Sequence, residues 1–114
     1  MTLRRLLPYV FWAAALFALV MATLPKPPQL PGEPSDKIQH ILAFTVLAAL
    51  AAAAYPRTSL LKIGLGLSAF GALIEIVQMI PILHRDAELV DWLADTVAAA
   101  VVLLLAGILR RRAA

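Results

Sequence analysis

Residues 71–80 read GALIEIVQMI, and they set a glutamate and a glutamine inside an apolar stretch. The stretch belongs to a longer run, 63–83, whose Ala- and Leu-rich composition and lack of period-two alternation exclude a strand. Read as a helix, Gly64, Ser68, Gly71, Glu75 and Gln78 fall at steps of 4, 3, 4 and 3 and make one stripe. One half of that stripe is small, where another helix can approach closely, and the other half is polar. A carboxylate facing lipid costs several kcal/mol, so Glu75 must face a partner or a wet cavity.

Three further apolar runs surround this one, at 6–24, 38–55 and 92–109. The first has 19 residues, no charge, and Pro8 near its start, where a missing N–H is tolerated. That length matches a hydrocarbon core of about 30 Å. Hydrophobic residues make up 62% of the 114, and charged residues only 15%. A chain this short cannot bury so much apolar surface in a core of its own, which makes lipid its natural solvent. The expected fold is an all-α integral membrane bundle of four transmembrane helices, a single domain over 1–114.

The linkers differ in kind. Residues 25–36, PKPPQLPGEPSD, carry five prolines and must be extended. Residues 56–59, PRTS, form a short turn, and 84–91, HRDAELVD, form a polar loop after Pro81. Arg4, Arg5, Arg57, Lys62, Arg110, Arg111 and Arg112 flank one set of helix ends with no acid among them. The other set holds Lys26, Lys37, Arg85 and all seven acids. The positive-inside rule then puts both termini in the cytoplasm of a plasma (inner) membrane and the loops 25–37 and 84–91 outside. Cleavage of the first helix as a signal peptide is the rival reading; its apolar stretch is longer than a usual signal core. The basic residues flank apolar runs, so they orient helices in a bilayer, and nucleic acid is not an expected partner. The chain has no cysteine, which excludes disulfides and thiolate metal sites.

Two more helices carry stripes with polar outer ends. Asp36, His40, Ala43 and Leu47 recur at 4, 3 and 4, as do Asp91, Asp95, Ala98 and Val102. His40 and Asp95 lie about one turn inside their helices, and Glu75 lies deeper, about 10 Å below its loop. Antiparallel packing would bring them to one level in the outer leaflet. Single buried polar groups often only join helices, at about 1 kcal/mol per hydrogen bond. Asp36 and Asp91 taken alone read as N-caps, and His84 and Glu88 as solvated loop residues. Trp12, Trp92, Tyr9 and Tyr55 suit an interfacial aromatic belt. Several ionisable groups converging at one depth point instead to a site.

SDKIQHILAF, then IEIVQ, then HRDAELVDWLADT resembles the VanZ-like family of small bacterial membrane proteins over about residues 35–105. Asp36, Lys37 and His40 match the family's DKxxH, Glu75 and Gln78 its ExxQ, and Arg85 and Asp91 its third element. Asp95 stands where Asn is usual and Ala98 where Gly is usual. The resemblance implies a cell-envelope protein; the founding member is associated with resistance to the glycopeptide teicoplanin.

The candidate ligand-binding cluster is therefore Asp36, Lys37, His40, Glu75, Gln78, Arg85, Asp91 and Asp95, with Gly64, Ser68 and Gly71 as packing positions. Its expected ligand is a lipid head group or envelope precursor, whose phosphate Lys and Arg would suit. Catalysis on such a lipid, with His40 as general base, is the alternative. No Ser or Cys nucleophile accompanies the set, so binding is the favoured reading. One histidine and two carboxylates (His40, Glu75, Asp95) are a thin ligand set, so neither a metal nor any other cofactor is expected. A proton-coupled small multidrug exporter would carry its glutamate in the first helix, which here has no charge.

Overall fold

The computed structural model describes residues 2–25, 36–81 and 89–113, with 36 and 37 described by backbone alone. These residues form four helices and no strand: α1 (Leu3–Thr23), α2 (Asp36–Ala54), α3 (Leu60–Gln78) and α4 (Leu89–Ala113). α1, α3 and α4 are each long and apolar enough to cross a membrane. Between helices of this composition little surface is polar. Tyr9, Trp12, Phe17, Leu61, Met79 and Leu104 are all more than 60% exposed. Such an outer surface suits lipid and marks a membrane protein.

The helices run alternately up and down. Gln78 at the end of α3 reaches Ala22 at the end of α1, and His40 near the start of α2 meets Asp95 near the start of α4. At the opposite end, Arg110 of α4 donates to the carbonyls of Ala52, Tyr55 and Thr58 at 2.8–3.0 Å. Those carbonyls close α2 and the following turn, where a helix leaves acceptors unpaired and its dipole favours a cation. α2 and α3 pack on each other and on both α1 and α4. The core of Phe44, Leu47, Ala48, Ile74 and Ala99 lies where they meet.

Local chemistry sets the boundaries. Ser59 caps α3 by accepting from the Lys62 N–H at 3.2 Å. Pro56 stands two residues after the end of α2 at Ala54 and biases Tyr55 away from helical angles. α1 begins at Leu3, not at residue 6, so Pro8 lies inside the helix and removes the bond to the Arg4 carbonyl. α3 stops at Gln78, five residues before the expected 83. Pro81 biases Ile80 away from helical angles, and the Met79 N–H turns back to the carbonyls of Ile76 and Val77. α2 starts at Asp36, inside the expected loop 25–37, and α4 is described from Leu89, inside the expected loop 84–91, while the connection leaving α3 begins at residue 79 and not at 84. α4 continues to Ala113, beyond the expected 109.

Candidate functional site

Three helix ends build the site. His40 lies in the second turn of α2, Glu75 and Gln78 in the last turn of α3, and Asp91 and Asp95 in the first two described turns of α4. Glu75 is thus about 4.5 Å from its helix end, shallower than expected, because α3 stops at Gln78 and not in the proline-containing stretch beyond it. Asp91 is not an N-cap; it stands within α4 and is 6% exposed. The N-terminal ends of α2 and α4 are the positive ends of their dipoles and favour Asp91 and Asp95. Glu75 stands at the negative end of α3, so its charge needs a cation or donor close by.

His40 Nδ1 lies 3.1 Å from Asp95 Oδ2 and 4.0 Å from Glu75 Oε1. One ligand atom from each of His40, Glu75 and Asp95 falls within 4.8 Å of the others. Asp95 is 0% exposed and Glu75 9%. Asp95 Oδ1 is buried with no hydrogen-bond partner among the described residues. Gln78, 3% exposed, donates from Nε2 to the Ala22 carbonyl at 3.0 Å, supplying a partner to an acceptor in the last turn of α1. It joins helices at the edge of the cluster, while its Oε1 has no hydrogen-bond partner among the described residues. Arg85 and the side chains of Asp36 and Lys37 lie outside the described residues, as do Ser35, His84 and Glu88.

Beneath the cluster, Gly71 faces two rings at once. A methyl group there would stand 3.3 Å from Phe44 of α2 and 3.4 Å from Trp92 of α4. Gly64 likewise faces Leu103 at 3.3 Å. These glycines admit side chains of the neighbouring helices. Ser68 Oγ shares a 3.1 Å hydrogen bond with Thr96 Oγ1, and Trp92 Nε1 donates to the Ser68 carbonyl at 2.9 Å. Trp92 therefore holds α4 to α3, where the sequence suggested only an interfacial ring. Thr96 was not singled out, although it falls four residues after Trp92 and so on the same face.

A groove of about 510 Å³ runs between α1 and α2. Phe17, Met21, Leu42 and Val46 line its apolar length, and Gln39 and His40 supply polar lining. A second groove, of about 740 Å³, lies between α3 and α4. Its hydroxyls, Ser68 and Thr96, bond to each other.

Comparison with family models, curated proteins and solved structures finds no match for this chain. The resemblance to the VanZ-like family rests on the residue spacing alone.

Proposed function

We propose that this is a VanZ-like membrane protein of the cell envelope whose outer-leaflet polar pocket binds the head group of an envelope lipid or lipid-linked precursor. In this reading all four helices span the plasma membrane and both termini are cytoplasmic. The support for a fourth span is the apolar stretch Ile38–Ala54 of α2, at the short end of a spanning length, and the packing of α2 on every other helix. The support for the orientation is the seven basic residues at one end of the bundle, with Asp91, Asp95 and Glu75 at the other.

The observation that carries the ligand is the α1–α2 groove, an apolar channel whose lining includes His40 of the polar cluster. One acyl chain fills such a groove while a polar head meets His40, Gln39 and the carboxylates behind them. A phospholipid carrying a photoactivatable group on its acyl chain tests this in reconstituted vesicles. Labelling should concentrate on residues 14–22 and 42–47, and Ala18→Trp, which fills the groove, should abolish it there. Labelling spread evenly over the exposed faces of α3 and α4 would overturn the reading.

The 3.1 Å pairing of His40 with Asp95 favours one second reading, an enzyme acting on the same lipid. A carboxylate on Nδ1 orients the imidazole and leaves Nε2 as a general base. Chemical change of the lipid during incubation separates the two.

A further inference from the structure

The geometry points to a divalent transition-metal site formed by His40, Glu75 and Asp95, with zinc as its chemical type. The sequence offered only a thin set of three residue types. The fold brings those three, from three different helices, to within 4.8 Å of one another. With metal–ligand bonds of about 2.1 Å, neighbouring ligands of a four-coordinate ion lie about 3.4 Å apart. The observed separations of 3.1 Å to Asp95 and 4.0 Å to Glu75 bracket that edge. The third edge, Glu75 to Asp95, is at most 4.8 Å, so side-chain shifts on the order of an ångström close the set.

Two further observations point to a cation. Asp95 is fully buried, and its Oδ1 has no hydrogen-bond partner among the described residues. A carboxylate oxygen left so is costly, and more so away from water. The second is charge: among the described residues the cluster sets three acids, Glu75, Asp91 and Asp95, around one imidazole, and a divalent ion would offset two of those negative charges. The ligand types, one nitrogen and two oxygens with no sulfur, suit zinc or manganese, and three protein ligands leave a position open for a further oxygen. The ion would be held at the His40 side of the α1–α2 groove. The inference stands apart from the lipid reading: a chain that binds zinc but no phospholipid keeps the one and loses the other.

Zinc alone is the probe, with untagged full-length protein in detergent, stripped by chelation and analysed by equilibrium dialysis with elemental analysis. About one zinc per chain is expected, with a thermal midpoint that rises with zinc concentration by mass action. His40→Gln and Asp95→Asn should each weaken binding at least about tenfold. X-ray absorption of the wild-type zinc complex should show one imidazole among oxygen ligands, a result that needs no folded variant. Less than about 0.2 zinc per chain at ~10 μM free ion would overturn the site. So would His40→Gln binding as tightly as wild type, or a zinc shell without imidazole.

Discussion

Asp95 and Glu75 differ in what holds them. Asp95 sits near the positive end of α4 and touches His40 at 3.1 Å. Glu75 sits in the last turn of α3, against the dipole, with His40 Nδ1 4.0 Å away. Helix stability alone does not ask for a carboxylate at position 75, because a neutral amide there is cheaper in a bilayer and relieves the conflict with the dipole. Glu75→Gln should therefore fold to wild-type abundance, with a thermal midpoint no lower than that of wild type. If the charge serves a ligand, the same variant should lose groove photolabelling down to the vesicle background. It should also behave as a null in growth under glycopeptide challenge. A variant that labels and grows as wild type would reduce Glu75 to a residue that merely joins helices.

At the scale of the element, buried faces follow contact ridges and depart from the spacing read along the chain. On α4 the buried positions are Asp91, Asp95, Ala99 and Leu103, steps of four throughout, where steps of 4, 3 and 4 through Ala98 and Val102 were expected. A helix crossing its neighbours at an angle meets them along an i±4 ridge, which drifts around its surface. α2, packed on all three others, buries Phe44, Leu47, Ala48 and Ala51, a wider face than one stripe. Gly71 lies where α2, α3 and α4 meet, so its substitution reports on that junction. Gly71→Leu should destabilise the bundle by about 1–3 kcal/mol through overpacking against Phe44 and Trp92. Gly66→Leu, on a helix position with nothing within 4 Å of an added methyl group, should be nearly neutral. Thermal unfolding in one detergent compares them. Equal midpoints for the two variants would refute the packing argument.

At the scale of the whole molecule, the bundle has two unlike ends. One end gathers Arg4, Arg5, Arg57, Lys62 and the arginines 110–112, and Arg110 closes α2 by bonding three carbonyls, so a basic side chain there also joins helices. The other end gathers the carboxylates around His40. Both termini should lie inside and the proline-rich segment outside. The chain has no cysteine of its own, so single cysteines can be introduced cleanly. In intact cells a membrane-impermeant maleimide should label Gln29→Cys and leave Arg112→Cys unlabelled until the membrane is opened. Labelling at position 112 from outside would reverse the topology and move the polar pocket to the cytoplasmic leaflet.

The sequence by itself determined the helical class, because uninterrupted apolar runs near 20 residues have one way to satisfy their backbone in lipid. It also placed His40, Glu75 and Asp95 near the same end, since alternating helices with short connections put alternate termini together. Gly71 was legible as a contact position from its place on a stripe with Glu75. The end of α3 was misplaced because hydropathy continues past Gln78, while the backbone obeys Pro81. Only the tertiary structure decided that His40 meets Asp95 at 3.1 Å, that Gln78 turns to α1, and that Trp92 bonds Ser68. Those choices depend on how far each helix slides and rotates against its neighbours. A step of one residue shifts a side chain by about 1.5 Å and 100°, so a stripe names the face and leaves the partner to packing.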